Sequence, residues 1–108
     1  MSNENIDITE DIFLDILNKS RCKRVKIACY KILYIFGDEG ALDQIIEELN
    51  GHRYRNRCFA VNVLIEISSR QNRAKILIKL RERRNKEKSI AVQSTIDRAI
   101  ETLESIDV

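Results

Sequence analysis

Along this chain apolar residues return with a period of about 3.6 residues, the signature of helices with one buried face. The spacing predicts six of them. The first is expected from about Thr9, as N-cap, to Asn18, and the second from about Arg21 to Phe36, ending near Gly37. A third spans Glu39 to Leu49 and stops at Asn50-Gly51, a favourable C-terminal pair. The fourth covers Tyr54 to Ser68, and Ser69 caps a fifth running to Arg84. The last runs from about Lys86 to Ser105, with Val92, Ile96, Ala99, Leu103 and Ile106 on one stripe. Proline is absent and only Gly37, Gly40 and Gly51 interrupt the chain, which favours long helices.

The same pattern repeats at an offset of 32 residues. Ala28 recurs as Ala60, and around it Ile27 pairs with Phe59, Cys29 with Val61, Ile32 with Leu64, Leu33 with Ile65 and Ile35 with Ile67. Phe13, Ile45 and Leu77 form a column, as do Leu14, Ile46 and Ile78. Such columns mark stacked helical units, each burying its neighbour's open face. Helices two and three form one unit, and helices four and five form the next. The first and last helices are expected to cap the stack. Between Ile27 and Phe36 the second helix is apolar on almost every side, with Lys31 its sole charge. That predicts a central position for it, against helices one, three and four. Tyr30 and Tyr34, four apart, then read as packing of that helix before they read as a contact site.

In the second copy Arg57, Ala60, Val61, Leu64 and Ile67 resemble the first helix of HEAT-type repeats, especially the short bacterial kind. In the first copy Val25 takes the arginine place, flanked by Arg24 and Lys26, while Ala28, Cys29, Ile32 and Ile35 match. In the third, Gln93, Ile96, Ile100 and Leu103 keep the internal spacing but lose the small residues. The inter-repeat Asp and Pro common in the family are absent. The resemblance covers roughly residues 9 to 105. It implies an all-α, right-handed solenoid of stacked helical hairpins with a binding face on the second helix of each hairpin.

A chain of 108 residues suits one domain, here residues 1–108 with a flexible lead at 1–8. Apolar residues at 44% and charged residues at 33% exclude a disordered chain. Cys22, Cys29 and Cys58 lack a CxxC spacing, and one helix would hold the first two about 10 Å apart, beyond disulfide reach. They read as small buried thiols. The acidic start, Met1 to Asp7, lacks the pattern of a signal peptide, and no apolar run reaches the roughly 18 residues of a membrane span. A cytoplasmic location is expected, with no membrane partner.

Chemistry has little to build on. His52 is the only histidine, so a two-His metal site cannot form, and beside Gly51 it reads as a solvated turn residue. Phosphate loops, HExxH and GxSxG are missing. The HEAT-like class includes DNA glycosylases that grip damaged DNA with aromatic side chains, but this chain has no tryptophan. The expectation is a non-enzyme without cofactor or metal.

Charge is more informative than the net +2. Residues 1–20 carry five acids against Lys19, and residues 37–50 carry five acids and no base. Residues 70–88 carry nine bases against Glu82 and Glu87. The repeat offset puts Asp11, Asp43 and Lys75 in one column and Asp15, Glu47 and Lys79 in another, all six on the solvent side of the second-helix layer. Within each helix the pair is like-charged at i and i+4, which costs about 0.2–0.5 kcal/mol. One reading is a bipolar docking surface for a partner of complementary charge. The other is a solvated ladder in which Lys75 and Lys79 neutralise Asp43 and Glu47.

Two basic clusters remain: Arg53, Arg55 and Arg57, and then Arg81, Arg83, Arg84, Lys86 and Lys88. The second suggests phosphate contacts with nucleic acid, although Lys and Arg near a helix C-terminus also complement its dipole. The expected function is a small protein-binding module, in concrete form a stoichiometric inhibitor such as a bacterial immunity protein against a basic toxin, for example a nuclease. Several immunity proteins are HEAT-like, so this step is analogy. Nucleic-acid binding through residues 70–88, or a scaffold role in a larger assembly, is the alternative.

Overall fold

A computed structural model describes residues 11, 12 and 14–105. Their regular structure is entirely helical: α1 (helical at 11, 12 and 14–19), α2 (Lys23–Ile35), α3 (Gly40–Glu47) with a 3-10 turn (Glu48–Asn50), α4 (Tyr54–Glu66), α5 (Arg73–Lys86) and α6 (Ile90–Ser105). Thr9, Phe13, Ile106 and the 1–8 lead fall outside the described residues.

The chain builds a slab of 44 × 35 × 15 Å. Its thickness is that of two helix layers, since packed helices lie about 8–10 Å apart and each Cα cylinder adds a radius of about 2.3 Å on either side. In one layer α2, α4 and α6 lie side by side in chain order. Against it, α3 packs on α2 and α4, and α5 packs on α6. Ile27, Ile45, Leu64, Ile76, Leu80, Val92, Ile96 and Leu103 are fully buried between the layers.

The centre is α4, not α2. It touches α2, α3, the 3-10 turn and α6, and Ala60, Val61, Val63 and Leu64 bury more than one of its faces. By contrast α2 buries Ile27, Cys29 and Leu33 but leaves Val25 and Ile35 exposed. Being apolar all round therefore gave α2 spare apolar surface, while the central place went to the helix with neighbours on both sides. Tyr30 and Tyr34 pack half-buried against the core, as the packing reading expects.

Two boundaries move for identifiable reasons. α5 starts at Arg73 instead of just after Ser69, because the buried Asn72 side chain organises a turn there. Its Oδ1 accepts from the Ser69 amide at 2.7 Å, and its Nδ2 donates to the Ile67 carbonyl and the Tyr34 hydroxyl, both at 2.9 Å. α6 starts at Ile90 instead of Lys86, because Glu87 is extended (φ −76°, ψ 130°) and Ser89 accepts from the Val92 amide at 3.4 Å. The end of α2 matches expectation. Gly37 takes φ 108°, and the amides of Gly37 and Asp38 donate to the carbonyls of Tyr34 and Leu33 in a Schellman closure.

The 32-residue register is buried unevenly. Ala60 is wholly buried and Ala28 half-buried; Ile45 is buried and Leu77 half-buried. In the other column Ile46 is buried while Leu14 and Ile78 are exposed, since α3 has packing partners on α2 and α4 and the main partner of α5 is α6. The cysteines also divide. Cys29 is buried and Cys58 half-buried, 3.6 Å from the Thr95 hydroxyl, but Cys22 is exposed at the N-cap of α2. There the amides of Val25 and Arg24 hold its thiol below the ordinary value.

At Ala60 the neighbours leave no room, so Ala60→Leu should overpack the layer contact and cost roughly 1–3 kcal/mol. Thermal melting followed by circular dichroism measures it. A melting point within a degree of the parent would show that the contact tolerates a larger side chain.

Candidate functional site

Asp11, Asp15, Asp43 and Glu47 are all exposed on α1 and α3, as is Lys75 on α5, while Lys79 is less open. Lys75 Nζ bonds Asp43 Oδ1 at 2.5 Å, 32 residues away, so one rung of the ladder forms. The second rung does not. Lys79 turns to Glu82 on its own helix at 3.5 Å, and Asp15 pairs with Lys19 at 3.2 Å. Side chains stay 61% and 47% exposed at the formed rung, where an ion pair contributes about 0–1 kcal/mol. Glu47 and Asp11 have no ion pair among the described residues.

Two separate pockets with charged walls lie between α3 and α5. Glu39, Asp43, Gln71 and Lys75 line one, and Glu47, Asn50, Lys79, Glu82 and Lys86 line the other. The first holds Asp43 and Lys75 and the second Glu47 and Lys79, one column residue from each helix in each. Asp11 and Asp15 line neither.

The basic cluster before α6 is mostly neutralised within the fold. Arg81 pairs with Glu104, and Arg84 Nε bonds Asp97 Oδ1 at 2.7 Å, which raises the Arg84 pKa further. Arg83 Nε bonds Glu87 Oε1 at 3.0 Å and its Nη1 donates to Asn50 Oδ1 at 3.2 Å. Only Lys86 and Lys88 of that cluster have no ion pair among the described residues.

Glu87 is the residue that sequence reasoning missed. Its side chain is fully buried and receives a two-point contact from Arg57, Nε to Oε1 at 2.9 Å and Nη2 to Oε2 at 2.8 Å. The Ser89 amide donates to Oε2 at 3.0 Å, and Gln93 Nε2 donates to the Glu87 carbonyl at 2.7 Å. Arg57 also donates to the carbonyls of Gly51 and His52, at 2.8 and 3.0 Å. Burial alone would push the carboxyl up. The bonds from Arg57, from the Ser89 amide and from Arg83 outweigh it and hold the pKa at about 2. In sequence Glu87 looked like a minor acid in a basic run; the only available signal was the family-like position of Arg57.

Among the described residues no group of His, Cys, Asp and Glu side chains is placed to hold a metal ion, and no helix is long and apolar enough to cross a membrane. His52 is exposed. No family model, no curated protein and no solved structure matches the chain.

The Glu87 pair sets a pH dependence. A carboxyl held at about 2 contributes stability above its unfolded value near 4.5, and that contribution fades as pH falls toward 2. Its full size is about 3 kcal/mol. Glu87→Gln should cost roughly 3–5 kcal/mol at neutral pH, because it strands two arginines, and should flatten the acid limb. Urea unfolding between neutral pH and pH 2 checks both, and a variant with the parent's stability and acid limb would show that the pair contributes nothing.

Proposed function

We propose that this chain is a non-catalytic protein-binding module that docks its partner on the outer side of α1, α3 and α5. The observation that carries the proposal is the set of four exposed acids, Asp11, Asp15, Asp43 and Glu47, of which only Asp15 and Asp43 have an ion pair among the described residues, each with its side chain well exposed. The fold gains little from the one cross-helix rung, so internal neutralisation explains little of the arrangement. In this reading the helices stack as a HEAT-like solenoid of two hairpins with capping helices, and the binding face is the second-helix layer. Its concrete form is a stoichiometric inhibitor of the immunity-protein kind, whose acids meet the basic surface of a toxin such as a nuclease. Lys75 and Lys79 extend the face with the opposite sign and set the register of docking.

The nucleic-acid alternative draws on Arg81, Arg83, Arg84, Lys86 and Lys88. Three of these five are engaged by acids of the same fold. A phosphate contact there would have to break an internal pair first, which favours the protein reading. No DNA or RNA complex is therefore expected at about 150 mM salt, where counterion release already weakens phosphate contacts. Submicromolar binding that Arg83→Ala and Arg84→Ala weaken would reverse the ranking.

For the protein reading, Asp43→Lys with Glu47→Lys keeps a like-charged i,i+4 pair on an exposed helix face and should shift stability by less than about 1 kcal/mol. Affinity for the isolated partner should fall at least roughly a hundredfold, because like charges then face each other across the docked surface. Calorimetric titration beside a melting curve reads both. Unchanged affinity would remove this face from consideration, and a stability loss with affinity intact would support a ladder.

A further inference from the structure

A separate group of cations lies where α2 and α4 begin. Arg24 on the first turn of α2, with His52, Arg53, Tyr54, Arg55 and Asn56 on the turn into α4, lines a cavity of about 380 Å³. None of these residues lines either pocket between α3 and α5. The cavity differs in kind from the neutralised cluster before α6. Arg24 and Arg53 have no ion pair among the described residues, and Arg55 bonds only the Tyr54 hydroxyl, at 3.2 Å, with its guanidinium carbon 5.8 Å from the ring centre. The carboxylate of Glu48 is engaged by Lys23 at 3.4 Å.

Sequence and packing concentrate this charge. Residues 21–37 and 51–65 contain no acid, and α2 and α4 pack side by side. Neither helix has an acidic residue in its first turn or a side-chain cap. Instead α2 begins with Lys23 and Arg24, and α4 follows Arg53 and carries Arg55 in its first turn, the sign that the positive end of a helix dipole disfavours. Two adjacent helices thus carry an adverse charge arrangement at one cavity, and an anion bound there would relieve both.

We propose that this cavity binds the pyrophosphate group of a small ligand, either free pyrophosphate or a nucleoside diphosphate. The cations are arginines, whose planar forks match phosphate oxygens two at a time. The volume falls within the range of small-ligand pockets, roughly 300–1,000 Å³. A concave site with cations on two helices suits a compact ligand, whereas an extended polymer needs a track. The half-exposed Tyr54 ring adds a planar surface at the rim. This site stands apart from the protein-docking face, and either can fail without the other.

Isothermal titration of the full chain with sodium pyrophosphate, ADP and adenosine, at about 150 mM salt, tests it. Pyrophosphate or ADP should bind saturably at one site, and adenosine should not bind. Arg24→Gln and Arg53→Gln should each weaken binding at least about tenfold, as bidentate contacts are lost. Arg84→Gln, on a residue paired with Asp97, should leave affinity within about twofold. Because Arg24 and Arg53 are exposed, circular dichroism should show the parent's helicity in both variants. Preference for ADP would assign a nucleotide, and equal affinity would assign free pyrophosphate; both support the site. The absence of saturable binding of either up to about 5 mM would overturn it. So would an equal loss from Arg84→Gln, which marks diffuse attraction, or displacement by a single-stranded oligonucleotide with affinity growing with its length.

Discussion

The pairing of Arg57 with Glu87 ties the beginning of α4 to the corner between α5 and α6, 30 residues further on. Several local features depend on it. Glu87 leaves the helical path so that its carboxylate can face Arg57, which ends α5 and delays α6 to Ile90. The same carboxylate recruits Arg83, and the remaining Arg57 nitrogen fixes the carbonyls of Gly51 and His52 ahead of α4. That turn carries Arg53, Tyr54 and Arg55 to the rim of the basic cavity. A buried pair of this kind gives little net stability over an apolar replacement, yet losing one partner is costly. Its role is to specify how the two corners meet.

Helices were legible because periodicity in this chain is long and unbroken, and the absence of proline leaves few competing readings. Contacts between distant residues were legible only where the repeat offset brought them into register. Asp43 and Lys75, 32 residues apart, meet as the columns imply, while at Lys79 the nearby Glu82 wins over Glu47. A neighbour at i,i+3 costs less side-chain entropy to engage than a residue on another helix. The two misplaced helix starts trace to Asn72 and Glu87, polar residues whose partners, Tyr34 and Arg57, lie 38 and 30 residues away. Periodicity carries no information about such pairs. The central position of α4 was hidden for a related reason. Apolar content ranks α2 and α4 alike or favours α2, whereas centrality depends on which helix has neighbours on both sides.

Charge in this protein falls into two populations. Arg57, Arg81, Arg83 and Arg84 are engaged by acids of the same chain, so the run that looks most basic in sequence presents little of that charge to a ligand. Asp11 and Glu47 on α1 and α3, the arginines at the start of α2 and α4, and Lys86 and Lys88 are exposed without an ion pair among the described residues. Placement within the fold, more than the total of +2, decides which partners each surface suits.

The division rests on Glu87 being ionised and fully engaged inside the fold. The most direct measurement is a carbon-13 NMR titration of the Glu87 carboxyl in the full chain between neutral pH and the onset of acid unfolding. The expected result is a signal still in the carboxylate position at pH 3, since the midpoint lies at about 2. A midpoint near the ordinary glutamate value of about 4.3 would contradict it. The bonds from Arg57, Arg83 and the Ser89 amide would then do no more than offset the cost of burying the carboxylate.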